Sequence, residues 1–323
     1  MVLVRHMAAA IVAAALVGTG GSPALAQPSV YPDHKITFVV GFAPGGGIDI
    51  LARSLAQELT AQFNYQIVVE NRPGSASNVA AKVVTTAPPD GYTLLVTGNS
   101  FAINQTLSKD LTYSIDELRA VAFPARDSQA LAVTTDSPAQ TLADFIAMAK
   151  AKPVSAGVGG SSSHIVADYV LKVMAKTQTT SVPFQSGLPA MNALLGHHVD
   201  IVAGPVVEVS AQVKQGSVRA LAVTGPKRAF ALPDVPTLTE AGFPGLEING
   251  WVGVLAPAAT PSAVCARLND AINALVKSPG FNTRLRSLGY EPNAVALADA
   301  DPFLKDSIDT WRRMILATGL QNE

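Results

Sequence analysis

The chain has 323 residues, a formal net charge of −1, 48% apolar residues and only 15% charged ones. That balance argues against disorder and for well-buried sheets, and it favours neither nucleic acid nor an anionic membrane surface as a partner. A single cysteine, Cys265, excludes an internal disulfide.

In chain order, Arg5 and His6 precede the apolar run 7–17 and then Ala24-Leu25-Ala26, the pattern of a secretory signal peptide with its A-x-A cleavage site. The run is about half the roughly 20 residues that a membrane-spanning helix needs. Residues 1–26 are therefore expected to be removed, and no cysteine stands at the cleavage point to carry a lipid anchor. The mature chain is expected in the periplasm, and it is long enough for two domains.

From Lys35 onward, short apolar runs alternate with amphipathic segments, the signature of βαβ units and a largely parallel sheet. Residues 36–40 read as a buried strand. Ile48, Leu51, Leu55 and Leu59 then share a helical face, so 48–63 reads as a helix, with a strand at 66–70. A helix near 78–85, the turn Pro88-Pro89-Asp90-Gly91 and a strand at 92–96 complete a βαβαβ unit. A second series begins near Leu131, with a strand to 134, a helix at 141–150, a strand to 158 and a helix at 164–174. Strands at 181–184, 199–202 and 218–223 follow, with helices near 189–195 and 206–215 between them. After a strand at 251–255, Thr260-Pro261 starts a helix carrying Val264, Leu268, Ile272 and Leu275, which places Cys265 as an inert buried thiol. The last helix is expected to open at Asp301-Pro302 and to bury Leu304, Ile308, Trp311 and Ile315.

Two loops in different halves share one plan, a strand that ends in glycines and opens directly into a helix. They are residues 41–49, with Gly45, Gly46 and Gly47, and residues 157–164, with Gly159, Gly160, Ser161, Ser162 and Ser163. Glycines let backbone N–H groups approach a ligand, and a helix N-terminus adds a partial positive charge of about half a unit. Each loop is thus a candidate anion seat, and opposed across a cleft they would hold a ligand with a negative group at each end. Each could equally be an ordinary tight turn. A dinucleotide fingerprint fails on spacing, because Ile50 stands where the third glycine would fall.

Catalytic readings fare worse. Ser163 and His164 are adjacent, but neighbours at a helix start point apart, and no G-x-S-x-G elbow is present. His197 and His198 lack the companions of a metal site and read as solvated loop residues. Asp49 is the expected acid of a first helical turn. Trp251 reads as half core and half cleft wall. No enzyme activity, cofactor or metal is therefore expected.

The segments Tyr31-Pro32, Pro44-Gly45-Gly46 with Asp49, Val68-Val69-Glu70-Asn71-Arg72-Pro73-Gly74 and Pro89-Asp90-Gly91-Tyr92, with Val182-Pro183-Phe184, Leu194-Leu195-Gly196 and Leu232-Pro233-Asp234-Val235-Pro236-Thr237 further on, resemble the Bug (TctC-like) family of substrate-binding proteins of tripartite tricarboxylate transporters. The resemblance runs through essentially the whole mature chain in order. It implies an α/β, two-domain periplasmic-binding-protein type II-like fold that closes over a carboxylated ligand in the cleft between domains. Its binding positions map onto Phe42, Pro44, Gly45, Gly46, Gly47 and Asp49; onto Asn99 and Ser100; onto Gly160, Ser161, Ser162, Ser163 and His164; and onto Phe184 and Gln185. Many members carry an aspartate where this chain has Ala203-Gly204-Pro205.

Domain 1 is then expected from 27–127 plus 254–323 and domain 2 from 128–253, with crossings near 124–128 and 251–256. The expected role is that of a monomeric carrier handing its ligand to the membrane components of such a transporter; delivery to a sensor and a secreted hydrolase are the alternatives. Gly204 removes an acid that could pair with an amine, so the expected ligand is a small dicarboxylate without an ammonium group.

Overall fold

A computed structural model describes residues 31–244, 248 and 250–320. The expected export signal and its cleavage site lie outside the described residues. No described helix is long and apolar enough to cross a membrane.

The first series runs β1 (Ile36–Val40), α1 (Gly47–Phe63), β2 (Ile67–Asn71), α2 (Asn78–Thr85), β3 (Thr93–Gly98), α3 (Asn99–Leu107) and β4 (Leu118–Asp127). Its α1 forms where the heptad-like spacing puts Leu51, Leu55 and Leu59 on one buried stripe. The second series runs β5 (Gln129–Thr134), α4 (Leu142–Ala151), β6 (Val154–Val158), α5 (Ser161–Ala167), β7 (Thr179–Pro183), α6 (Gly187–Leu195), β8 (Ile201–Pro205), α7 (Val206–Lys214) and β9 (Val218–Val223). The chain then returns with β10 (Gly250–Pro257), α8 (Ser262–Lys277), α9 (Pro279–Ser287), β11 (Glu291–Pro292) and α10 (Leu297–Thr318).

These strands form two separate sheets, ordered β11-β4-β10-β3-β1-β2 and β7-β6-β8-β5-β9. In the first, β1 is parallel to β2 and β3, while the returning β10 is inserted antiparallel between β3 and β4. The second repeats the device. Its β6 is parallel to β7 and β8, and β5, which has just arrived from the first lobe, is inserted antiparallel between β8 and β9. Each lobe is therefore closed by a strand delivered from the other, and the two crossings lie side by side where Asp127 at the end of β4 pairs with Gly250 at the start of β10. Sheet 1 includes Gly250, one residue before the strand expected at 251–255.

One buried cluster sits between the first sheet and α1, α8 and α9, with Leu51, Leu55, Leu268, Ile272, Phe281 and Cys265 in it. Cys265 is buried and unpaired, and burial pushes its thiol pKa up. A larger cluster joins Phe101, Phe123 and Trp251 to Ile165, Val170 and Leu171 of the second lobe through Leu304, Ile308 and Trp311 of α10. That last helix opens at Leu297, earlier than the sequence suggested, and carries Pro302 in its second turn, where the ring leaves the carbonyl four residues back without its helical donor.

Candidate functional site

The first glycine loop is fixed from beneath by Asp49. Its carboxylate accepts the Gly45 N–H at 2.8 Å, the Arg53 Nε–H at 3.0 Å and an Asn71 amide hydrogen at 2.8 Å. The same Asn71 amide donates to the Phe42 carbonyl at 3.0 Å. Burial alone would raise the Asp49 pKa, but the Arg53 guanidinium and the Gly45 and Asn71 donors outweigh it and hold the carboxyl below its ordinary range. Asp49 is 2% exposed and turned into this network; it orders the loop instead of facing a cavity. Above it, α1 begins at Gly47, and a Cβ there would stand 2.7 Å from the Tyr290 hydroxyl, so phenol and helix start are in close approach.

A second helix start comes from β3, which ends at Gly98 and passes straight into α3 at Asn99. Asn99 Oδ1 accepts the Trp251 N–H at 2.9 Å, tying this helix start to β10. The third belongs to α5, which opens at Ser161 and runs on as a π-helical stretch, Asp168–Met174. Its loop is packed so tightly that a Cβ on Gly159 would lie 2.3 Å from the Gly187 nitrogen.

These three first turns meet at one cavity of about 220 Å³ between the lobes. Ile48, Asn99, Ser100, Ser161 and Ser162 line it from the helices, with Phe42 from the first loop. Trp251, Val252, Tyr290 and Asp127 complete the wall with Gly98 and Ile103. No lysine, arginine or histidine is among the described lining residues. What positive potential the cavity has comes from unsatisfied first-turn N–H groups and their helix dipoles. Roomier hollows lie elsewhere. One of about 570 Å³ in the second lobe includes Thr141, Arg219 and Glu240, but the helix start it touches is already capped by Thr141 and Asp144. Another, of about 390 Å³, lies around Ser75, Asn78 and Lys109 within the first lobe and takes in the start of α2 but of no other α-helix.

Of the residues singled out in the sequence, Phe42, Asn99, Ser100, Ser161 and Ser162 line the cavity. Pro44, Gly45, Gly46 and Gly47 shape the loop beside it, and Gly160 precedes α5. Ser163 instead donates to Gln129 Oε1 at 2.9 Å, and both are buried. His164 lies 3.5 Å from Asp168, which also holds Lys172 at 2.8 Å. Phe184 packs on the second lobe's own core and Gln185 is exposed beyond β7. Gly204 is buried within β8 with Val209 as its neighbour and does not reach the cavity. The missing acid at Gly204 therefore leaves this cavity unaffected, and an acid does stand in its wall, Asp127. Trp251 is 1% exposed and donates Nε1–H to Ser307 at 2.8 Å, so most of it is core. His197 and His198 are exposed, and no group of three or more potential metal-binding side chains exists among the described residues.

Asp127 and Tyr290 were not legible as site residues. Burial, with the charge of Glu208 nearby, raises the Asp127 pKa to about 7. Burial, with the charge of Asp127, holds the Tyr290 phenol well above its ordinary value, hence neutral.

The model of the tripartite tricarboxylate transporter family receptor matches residues 51–320. The chain belongs to this family. A UPF0065 protein in the tcbD-tcbE intergenic region of Pseudomonas sp. (strain P51) is 31% identical over 309 residues, covering 94% of this chain and 91% of that one. The protein BugT of Bordetella pertussis is 27% identical, over 94% of this chain and 95% of its own. Among solved structures, R. palustris Rpa4515 with adipate shares 30% identity with a TM-score of 0.77, over 91% of this chain and 100% of that chain. MatC from Rhodopseudomonas palustris with bound malate shares 28% with a TM-score of 0.71, over 88% and 100%. The family receptor thus has the two-domain α/β fold of periplasmic solute-binding proteins, and it is a solute-binding receptor and not an enzyme.

Proposed function

We propose that this receptor works in the periplasm, captures a small dicarboxylate without an ammonium group between its lobes, and delivers it as a monomer to the membrane components of a tripartite tricarboxylate transporter. The observation that carries the reading is the convergence of three helix starts on a cavity of about 220 Å³ whose described lining has no cationic side chain. Such a site suits an anion held by amides and hydroxyls, and several separated seats suit an anion with more than one carboxylate. The volume suits a body of a few carbon atoms. The ligands named for the two R. palustris proteins, adipate and malate, are both dicarboxylates. The leader-like residues 1–26 support the export route.

A thermal-shift panel of mono-, di- and tricarboxylates beside aspartate and glutamate tests the reading. A dicarboxylate at about 100 times its Kd is expected to add about 2.7 kcal/mol of stability. Shifts with the amino acids and none with any dicarboxylate would overturn it.

A further inference from the structure

Among its described lining residues the cavity has one acid and no base, an unusual balance for a site that takes anions. Asp127 ends β4 at the crossing between lobes, where its backbone is fixed by pairing with Gly250. It is half-buried in the cavity wall. The groups that face it are a second acid, Glu208 in the first turn of α7, and the neutral phenol of Tyr290 just before β11. From α1, α3, α5 and β10 the cavity receives only apolar, amide and hydroxyl groups. Arg126, one residue back on the strand, lines an adjoining recess with Phe230, Arg286 and Glu291 that shares Tyr290 with the cavity, and the histidine of α5, His164, is engaged by Asp168. A dicarboxylate entering this cleft as a dianion would meet a like charge on Asp127, with no basic side chain in the described lining to offset it.

We propose that Asp127 is a ligand-contacting, specificity-determining residue that meets the bound dicarboxylate as the neutral acid, so that capture takes one proton from solvent onto the Asp127 carboxyl. The ligand keeps both its charges. The Asp127 O–H donates to one of its oxygens, and no other bond changes. The inference rests on the dicarboxylate reading above; a ligand with an ammonium group would pair with ionised Asp127 and require no proton. It fits the acid's environment, since burial and Glu208 already bring the empty cleft's Asp127 to about 7, and a bound dianion raises it further.

The sign follows. Below about pH 7 the free receptor already carries the proton, so affinity is level. Above it, affinity falls by up to about tenfold per pH unit until the higher value of the complex is reached. The experiment is titration calorimetry of the mature receptor with malate and with adipate at about pH 6.5, 7.5 and 8.5, in two buffers of different ionisation enthalpy. Expected are an affinity that weakens toward the highest pH and an uptake approaching one proton per ligand there. Asp127→Asn, whose amide can donate in place of the acid, is expected to bind with a level pH profile and no proton uptake. A level profile without proton exchange in the unaltered receptor overturns the inference while leaving the dicarboxylate reading intact, and this measurement does not depend on the variant folding. A pH profile that persists in Asp127→Asn would place the proton on another group and overturn it as well. Failure of both dicarboxylates to bind at any pH would instead sink the functional reading, and this inference with it.

Discussion

At the scale of single residues, Asp49 shows how a side chain can serve a binding loop without touching what the loop binds. Its carboxylate gathers Gly45, Arg53 and Asn71, and Asn71 in turn holds the Phe42 carbonyl, so one buried acid fixes both ends of the turn. Asp49→Ala removes the acceptor that Gly45, Arg53 and Asn71 share, leaving Asn71 its bond to Phe42 and Arg53 its bond to Asn71, and is expected to cost about 1–3 kcal/mol of stability, together with ligand affinity, since the amides beside the cavity lose their order. The pH dependence has a definite sign. A carboxyl held below its ordinary range contributes stability that is present above the unfolded value and lost as pH falls through the folded one. Denaturant unfolding of both forms near neutrality and below the ordinary aspartate pKa of about 3.9 checks this: the gap between them is expected to narrow only at the lower pH. An unchanged gap would mean that the network contributes as neutral hydrogen bonds only.

At the scale of elements, the sequence was most legible where apolar periodicity or glycine chemistry leaves a compositional trace. The stripe of Leu51, Leu55 and Leu59 announced α1, and the glycines of both loops marked the helix starts that meet at the cavity. The stretch 99–127 was not legible. In α3 the buried residues Phe101, Ala102, Ile103 and Asn104 are consecutive, so no helical spacing shows. The strand β4 contains Pro124, which ordinarily argues against a strand. The structure accommodates it where the β4–β10 register shifts between Val252 and Val254, and its carbonyl accepts the Asn293 N–H at 3.1 Å. Asp127 and Tyr290 come from distant segments with no motif around them, and only the assembled fold brings them to one wall. The approach of Tyr290 to α1 gives an element-scale expectation. Gly47→Ala places a methyl 2.7 Å from the phenol oxygen while the next ring atom is 3.8 Å away, so it is expected to destabilise by about 1–3 kcal/mol. Tyr290→Phe, which removes only that oxygen, is expected to restore most of the loss. Thermal unfolding of the two single variants and the double variant reads the coupling; additive losses would show that the two groups do not meet.

At the scale of the whole molecule, each sheet is completed by a strand from the other lobe, so the lobes are joined by two adjacent crossings that can act as a hinge. Beyond the hinge, the shared core in which Leu304, Ile308 and Trp311 of α10 meet Ile165, Val170 and Leu171 holds the lobes together, and a small set of contacts outside the cavity adds to it. The Phe230 N–H, on the second-lobe segment after β9, donates to Glu291 Oε1 of β11 at 2.7 Å, and Arg286 from α9 bonds the other Glu291 oxygen at 3.3 Å while its guanidinium lies 4.4 Å over the Phe230 ring. Phe230 is 63% exposed, so the contact contributes little to the core of either lobe, and its effect falls on the equilibrium between apart and together. Loss of such a latch shifts that equilibrium by the contact's own free energy and lowers apparent affinity by the fraction of receptor no longer competent. Phe230→Ala removes the cation–π contact, worth about 0.5–1 kcal/mol at an exposed site. It is therefore expected to weaken dicarboxylate binding by about two- to fivefold, mainly through faster release, with the unfolding temperature of the free receptor nearly unchanged. Glu291→Gln, which keeps an acceptor for the Phe230 N–H but loses the charge facing Arg286, is expected to fall between Phe230→Ala and the unaltered receptor. Stopped-flow release rates of a bound dicarboxylate, with scattering measurements of the free and liganded receptor, test the ranking. If Phe230→Ala releases ligand at the original rate, the contact is surface decoration and the lobes are held by the shared core around α10, the cavity and its ligand.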